Sequence, residues 1–244
     1  MTKARFGLSL RRALAELVIV VVGVLIALSA DSWMQSRRDR ADERDHLVAV
    51  RADVVESVRL LDEADADRVF QVHSLSRLLE GSAVSAPTDS VALWVREGLF
   101  DIGVYTPRLS ALGDLEASGE LQLIRSPELR RSLAALRTAL EAVKVVESDY
   151  TVSQQGMLDP FLTSSVALAG ALLASADFRL SARGGLDLSW VAPPSPELAN
   201  LIAFKLVLGG QARVRRDQLR REFQRVVELV DERLAELGVA TTND

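Results

Sequence analysis

The chain has 244 residues, no cysteine and a formal net charge of −5 at pH 7. The lack of cysteine excludes disulfides and thiolate metal sites, and the acidic balance gives no reason to expect nucleic-acid binding. Aromatic residues make up only 5% of the sequence, which is low for a β-rich domain and favours helices.

The first element in the chain is an uncharged, apolar run over residues 17–30. Extended to 13–32, the run has the roughly 20 residues that a helix needs to cross a hydrocarbon core, with Glu16 near one boundary. The run contains ten Leu, Ile and Val residues, each of which favours insertion by about 0.3–0.6 kcal/mol near the bilayer centre. We therefore predict a transmembrane anchor over residues 13–34.

Trp33 follows the run and suits an aromatic anchor at the far membrane interface. Two other interpretations of the run remain open. It could be a core segment of a soluble domain, or a signal peptide cleaved near Ala27-Leu28-Ser29. Its length, its N-terminal position and the basic tail before it favour the anchor.

One face of the anchor contains small residues and Glu16, spaced three and four residues apart. Gly23 and Ala27 form a small-xxx-small pattern, which lets two helices approach closely. The sequence therefore predicts a face for self-association in the membrane, with chance occurrence of small residues as the alternative. This association stripe consists of Glu16, Val20, Gly23, Ala27 and Ala30.

The basic residues on the two sides of the anchor do not by themselves decide its orientation. The tail 1–12 carries four Lys and Arg residues, and the far flank 37–44 also carries four. Because the tail is short and a long following domain can translocate largely regardless of its charge, we expect a cytoplasmic N-terminus. The large domain would then lie outside the membrane, which in a bacterium means the periplasm.

Apolar periodicity predicts a long helix over residues 37–80, followed by a break at 81–87. A short helix over 88–100 comes next, with Thr88 as its N-terminal cap and Trp94 as its buried anchor. The positions expected to face the core on the long helix are Leu47, Val50, Val54, Val58 and Leu61.

The middle of the chain carries clear signals for helix ends. A helix over 109–118 should end at Gly119, which is well placed as a C-terminal cap. Ser126-Pro127-Glu128 has the residues of a helix start, and Asp159-Pro160 should interrupt the helix that it opens. The apolar stripe of that helix consists of Leu129, Leu133, Leu136, Leu140 and Val143.

The uncharged stretch 161–175 is too short for a second span, so we expect a buried or surface helix there. A loop over 181–196 follows, and Ser195-Pro196-Glu197 opens the last long helix. The apolar positions of this helix are Leu219, Phe223, Val226, Val230, Leu234 and Leu237.

These elements predict an all-α protein in which an N-terminal transmembrane helix continues into a long helix and a helical bundle, with little or no sheet. The expected domains are a tail over 1–12, the anchor over 13–34, a helical domain over 35–240 and a polar end over 241–244.

No motif for catalysis, cofactor binding or metal binding stands out. His46 and His73 lie too far apart on one helix to share a metal ion. Charge clusters on the first and last long helices are interpreted as solvated faces. These clusters are Asp62, Glu63, Asp65 and Asp67, and Arg213, Arg215, Arg216, Arg220, Arg221 and Arg225.

We therefore expect no catalytic residue and no cofactor. The expected function is a non-enzymatic interaction, scaffold or sensory module. Its partners would be the lipid bilayer, a further protein and a second copy bound through the transmembrane helix, and no nucleic acid. The alternative is an anchored enzyme with an unrecognised site.

The anchor from Glu16 through Gly23–Leu28 to Asp31-Ser32-Trp33, with Ser118-Gly119 and Leu121–Ile124 further on, resembles a widespread family of uncharacterised bacterial membrane proteins. The resemblance implies an anchored helical domain and supplies no catalytic residues. Residues 16–22 also resemble the first helix of type IV pilins. Pilins, however, carry a β-sheet head and a different spacing before the glutamate, which makes a pilin-like subunit a minor alternative.

Overall fold

The computed structural model describes residues 4–165 and 187–239, and within them the protein is all-α, as the sequence predicts. The described residues contain an isolated bridge between Val191 and Pro194 but no β-strand. The helices are α1 (Ala4–Leu79), α2 (Thr88–Val95), α3 (Ser110–Ser118), α4 (Pro127–Ser153), α5 (Asp159–Ser165) and α6 (Pro196–Glu236).

Helix α1 is continuous over 76 residues. It contains a stretch that is long and apolar enough to cross a membrane, and none of the most apolar window is buried against the rest of the chain. In the described residues no other helix has this property. The predicted anchor and the predicted long helix are therefore two parts of one helix, which at about 1.5 Å per residue extends for roughly 110 Å.

Helices α1, α4 and α6 form the bundle, and α6 packs along both of the others. Helix α4 runs in the same direction as α1, and α6 runs back toward the anchor. At the anchor end of the bundle, Arg233 of α6 binds Glu43 of α1. At the far end, Lys205 of α6 binds Gln154, which follows α4.

The interior contains two apolar clusters. The proximal cluster, nearer the anchor, is built on Leu47, Val50, Val54 and Leu61 of α1, Leu129, Leu133 and Leu136 of α4, and Leu219, Phe223, Val226 and Val230 of α6. The distal cluster contains Leu75, Leu78, Val91, Val95, Leu99, Leu158, Leu162, Leu198 and Ile202. Burying one such side chain stabilises the fold by about 1.5–3 kcal/mol. The apolar stripes predicted from the sequence supply most of the proximal cluster, whereas no residue of the distal cluster belongs to them.

Three of the predicted helix ends are confirmed, whereas the predicted cap at Thr88 is wrong, because Pro87 occupies the N-cap position of α2. The hydroxyl oxygen of Ser126 accepts a hydrogen bond from the Leu129 N–H, and Ser195 caps α6 through the Leu198 N–H, both at 3.2 Å. Gly119 has φ +76° at the end of α3, a left-handed conformation that glycine adopts without strain.

Two local predictions need correction. Trp94 is only half-buried, and the anchors of its helix are Val91 and Val95, which lie one turn apart on the inner face. Asp159-Pro160 does not break the chain of helices. A π-helical turn from Gln154 to Leu158 ends α4 instead, and α5 begins directly afterwards. Pro160 is tolerated because it lies in the first turn of α5, where a missing N–H costs little.

The predicted helix over 161–175 agrees with α5 as far as Ser165, and its remainder lies outside the described residues. The described part of the predicted loop, residues 187–195, is non-helical.

Candidate binding groove and the polar layer beneath it

A layer of buried polar side chains separates the two apolar clusters. Its members are Arg68 and Gln71 of α1, Tyr105 of the connecting segment 101–109, Glu147, Tyr150 and Gln154 from α4 and its π-turn, and Lys205 and Arg216 of α6. Each of these side chains makes at least one hydrogen bond, which is the condition under which buried polar groups are tolerated.

Glu147 and Arg216 form an ion pair at the centre of this layer. The Arg216 Nε and Nη2 donate to Glu147 Oε1 at 2.9 and 2.7 Å, and the Tyr105 N–H donates to Glu147 Oε2 at 3.0 Å. The guanidinium also contacts Asp65 Oδ1 at 3.3 Å. Both oxygens of the carboxylate are therefore occupied, and the charge of Arg216 is balanced.

Main-chain carbonyls of the connecting segment accept further hydrogen bonds from buried cations. Arg216 Nη2 donates to the Gly103 oxygen at 2.9 Å, and Arg68 Nη2 donates to the Ile102 and Gly103 oxygens at 3.3 and 3.2 Å. Gly103 has φ +55°, so the sharp turn that aims these carbonyls inward favours glycine. The segment has no regular structure of its own and is held in place by side chains of α1, α4 and α6.

Lys205 joins α6 to the residues between α2 and the connecting segment. Its Nζ donates to the Leu99 oxygen at 3.0 Å, the Asp101 oxygen at 3.0 Å and Gln154 Oε1 at 2.8 Å. Burial, together with the positive charge of Arg68, lowers the pKa of Lys205 to about 7, although Asp101 and Asp159 act in the opposite direction. The amine therefore titrates close to neutral pH, far below the ordinary range of lysine.

Tyr150 lies beside both buried cations. The Arg68 guanidinium is 4.3 Å from the centre of the Tyr150 ring, and the Lys205 Nζ is 5.5 Å from it. Both distances suit a cation–π contact. The Tyr150 hydroxyl donates to Gln71 Oε1 at 2.9 Å. Burial raises the pKa of Tyr150 to about 12, so the phenol stays protonated at neutral pH.

A groove of about 760 Å³ opens between α4 and the stretch that runs from Val104 through α3. This volume is typical of ligand and peptide sites. Its walls are mostly apolar and include Leu109, Leu112, Leu140 and Val143, and Tyr105 and Glu147 of the polar layer are also among its lining residues. A salt bridge between Glu116 of α3 and Arg137 of α4 spans the two walls.

Glu147, the buried carboxylate in the groove lining, is held by Arg216 and the Tyr105 N–H, so it is not available as a general base. In the described residues no group of three or more His, Cys, Asp and Glu side chains could hold a metal ion. His46 lies 3.3 Å from Glu120, and His73 is exposed on α1.

The association stripe (Glu16, Val20, Gly23, Ala27 and Ala30) is exposed along its whole length. A Cβ added at Gly23 would have no neighbour within 4 Å, so packing inside this chain does not require glycine there. Trp33 is 60% exposed, and the Arg37 guanidinium lies 4.6 Å from its ring centre. Such a pair is typical of a membrane interface.

The expectation that both charge clusters are solvated faces is wrong for several members. Arg216 is 1% exposed, and Arg220 binds Asp62 and Asp65 of α1. The sequence did contain a signal, because Arg216 lies three residues before Leu219 and therefore on the apolar stripe of α6. The groove and the polar layer had no such signal, since they combine segments that are distant in sequence.

Comparison with known proteins gives no further assignment. No family model, curated protein or solved structure matches this chain.

Proposed function

We propose that the protein is a membrane-anchored, non-enzymatic interaction module that binds a protein segment with apolar side chains in the groove between α3 and α4. Residues 13–34 anchor it in a bacterial inner membrane, with the N-terminus in the cytoplasm and the bundle in the periplasm. The observation that carries the proposal is the pairing of an apolar groove with a buried carboxylate, Glu147, whose two oxygens already accept hydrogen bonds.

The physical argument rests on which groups the groove leaves available. Val104, Leu109 and Val152 offer apolar surface, whose burial by a partner is favourable at about 25 cal/mol per Å². Glu147 already accepts hydrogen bonds on both oxygens, so a partner does not need to supply them. The polar layer also fixes the position of the connecting segment, so the groove is formed before binding and less ordering entropy is lost.

Gly113 provides a direct test of the groove. It is exposed on α3, lines the groove, and a Cβ there has no neighbour within 4 Å. Because the chain has no cysteine, Gly113→Cys can be labelled with a benzophenone maleimide in membranes of the producing cells. Gly210→Cys is the matched control, since it is also an exposed helical glycine and does not line the groove.

We expect a discrete protein adduct at position 113 that is absent at 210. The adduct should disappear when Val152→Trp, a bulky change at an exposed lining residue, fills the groove. An identical adduct pattern at 113 and 210, or an adduct that survives Val152→Trp, would contradict the groove as the binding site.

The anchor is tested separately. We expect the full chain to stay in the membrane fraction after carbonate extraction and to retain its N-terminal residues. A mature protein that begins near Ser29 would instead show that the run is a cleaved signal peptide. A reporter fused after Asp244 that is active only in the cytoplasm would reverse the proposed topology.

The alternative of an anchored enzyme has less support, because Glu147, the buried carboxylate in the groove lining, is occupied by Arg216. A pilin-like subunit also has less support, since the described residues contain no strand that could belong to a sheet head.

A further inference from the structure

Two buried cations from different helices lie beside Tyr150 without a counter-charge. Arg68 of α1 is 6% exposed and Lys205 of α6 is 5% exposed, and both lie within 5.5 Å of the centre of the Tyr150 ring. In the described part of the chain, their hydrogen-bond acceptors are neutral amide oxygens and not carboxylates. Two such charges are costly to bury, and a guanidinium does not lose its proton in proteins. The amine of Lys205 is therefore the group that can relieve this cost by releasing a proton.

Charged and titratable groups face Lys205 from each of the elements packed around it. They are Arg68 of α1, Asp101 of the connecting segment, Tyr150 of α4 and Asp159 of α5. Helix α6 itself has no other charged residue between 198 and 212, and Arg96 binds Glu97 in the π-helical turn before the connecting segment. Burial and Arg68 together lower the pKa of Lys205 to about 7, against the opposite effect of the two carboxylates. The charge at this position therefore changes within the neutral pH range.

The charge of Lys205 determines how many hydrogen bonds the side chain can donate. An ammonium has three N–H donors, and all three are used, by the Leu99 oxygen, the Asp101 oxygen and Gln154 Oε1. A neutral amine has two donors and a lone pair, which repels a carbonyl oxygen that faces it. Gln154 cannot turn its amide oxygen away without losing two other hydrogen bonds, because its Nε2 donates to the Leu99 oxygen and to Asp159 Oδ1. One of the two main-chain carbonyls must therefore give way when the proton leaves.

Asp101 is the acceptor that has freedom to move. Leu99 is 0% exposed inside the distal cluster, so packing fixes its position. Asp101 is only half-buried and begins the connecting segment, which has no regular structure. Residues 104–107 of the same segment line the groove. A change at Asp101 is thus transmitted along a few residues of main chain to one wall of the groove.

We propose that the proton on Lys205 regulates the groove, because the ammonium holds the connecting segment in place and the neutral amine releases it at Asp101. This inference rests on the groove binding proposed above and adds its regulation by pH. Binding of the partner segment is then stronger at pH 6 than at pH 8.5. Tyr105 keeps its hydrogen bond to Glu147 in both states, so the wall shifts and does not unfold.

Release of the segment is distinguishable from loss of the fold. Because a neutral amine is less costly to bury than an ammonium, loss of the proton from Lys205 stabilises the folded chain as a whole. Weaker binding above pH 7 therefore cannot be attributed to unfolding.

A fluorophore on the groove wall tests the movement without any partner. The full chain is placed in phospholipid nanodiscs, and an environment-sensitive maleimide dye is attached to Thr106→Cys, which is exposed and lines the groove. Val145→Cys on α4 is the matched control, since it is 58% exposed and does not line the groove. The pKa of Lys205 is measured in the same chain by NMR with isotope-labelled lysine, because the sequence has only three lysines.

We expect the emission at position 106 to change between pH 6 and 8.5 with a midpoint equal to the measured pKa of Lys205, and the emission at position 145 to stay constant. Lys205→Arg keeps its charge at both pH values, so the change at position 106 should be absent. No change at position 106, a midpoint that differs from the pKa of Lys205, or the same change in Lys205→Arg would overturn the switch. The comparison of midpoints needs no variant of Lys205, so it decides the matter even if Lys205→Arg does not fold.

Photocross-linking through labelled Gly113→Cys connects the switch with binding. Membranes are irradiated at pH 6 and at pH 8.5, and we expect about fivefold less adduct at pH 8.5, which is the low end of coupling between two sites. Lys205→Arg should give equal amounts at both pH values. Equal amounts in the parent chain contradict the regulation alone, whereas absence of the adduct at both pH values contradicts the groove as a binding site.

Discussion

The proximal and distal halves of the bundle are held together by different forces. In the proximal half, long regular helices pack their apolar stripes around Phe223. Ion pairs between the helices lie at the edges of this half. One of these is buried: Arg233 donates to both oxygens of Glu43 at 2.9 and 2.8 Å. Burial by itself raises the pKa of Glu43, but the hydrogen bonds from Arg233 and the Arg125 N–H outweigh it and lower the pKa.

The distal half is built from shorter pieces. Two π-helical turns, Arg96–Phe100 and Gln154–Leu158, and the non-helical residues 187–195 surround its apolar cluster. Lys205 and Arg68 join it to the proximal half through main-chain carbonyls. The difference indicates that the proximal half depends mainly on apolar packing. The junction between the halves depends on buried charges, and therefore on pH and on single polar side chains.

The largest expected effect lies at the centre of the junction. Arg216→Met removes the partner of Glu147 and leaves a buried carboxylate without its counter-charge, so we expect a loss of about 3–5 kcal/mol in the free energy of unfolding. Urea denaturation of the detergent-solubilised chain measures it. The double variant Arg216→Met with Glu147→Met should be more stable than the single variant. If both are equally unstable, the ion pair is not the cause.

Lys205 should make stability depend on pH. Its pKa is about 7 in the folded protein and near the ordinary 10.5 in the unfolded chain, so between these values the unfolded state binds the extra proton. Stability therefore rises as pH increases from about 7 to 10.5 and is independent of this group below pH 7. The full swing, relative to Lys205→Met, should reach at most about 5 kcal/mol. Parallel pH profiles of the two proteins would contradict the low pKa.

A cavity in the distal half should lower hydrogen-exchange protection in fewer helices than a cavity in the proximal half. Leu162→Ala in the distal cluster should cost about 3 kcal/mol and reduce hydrogen-exchange protection mainly in α2 and α5. Leu136→Ala is the counterpart in the proximal cluster, and we expect it to lower protection throughout α1, α4 and α6. Equal loss of protection in both halves for both variants would show that the bundle unfolds as a single unit.

The smallest expected effect is at Gly98. A Cβ there would lie 3.3 Å from the main-chain nitrogen of Leu75, which cannot move aside as a side chain can. We expect Gly98→Ala to destabilise the distal half by about 1 kcal/mol. Gly210→Ala is the control, since its Cβ would have no neighbour within 4 Å. It should be neutral or stabilising by up to about 1 kcal/mol. A similar loss at both positions would rule out close packing as the cause.

The sequence predicted those parts of the molecule that follow local rules. The caps at Ser126 and Ser195 and the end of α3 at Gly119 depend on neighbouring residues alone. The apolar stripes depend on helical periodicity, which is also local. They correctly indicated which side of α1, α4 and α6 faces the interior.

The polar layer could not be predicted in the same way. Periodicity places Arg216 on the apolar side of α6, but it does not identify its partner Glu147, which lies 69 residues away in the chain. The groove likewise depends on the distance between α3 and α4, which no periodicity encodes. Trp94 was misplaced because its size suggested burial, whereas the helix turns Val91 and Val95 inward instead.

Because α1 is continuous, it also fixes the distance between Trp33 and the connecting segment. In the proposed arrangement, with Trp33 at the membrane interface, Ser57 would lie about 35 Å above the bilayer at 1.5 Å per residue. Ser57 binds the connecting segment through the Arg108 carbonyl oxygen, so α1 would hold the groove at this height. A partner of the kind proposed would then have to reach that far from the membrane surface, which favours segments of tall or freely extended proteins over ones close to the lipid.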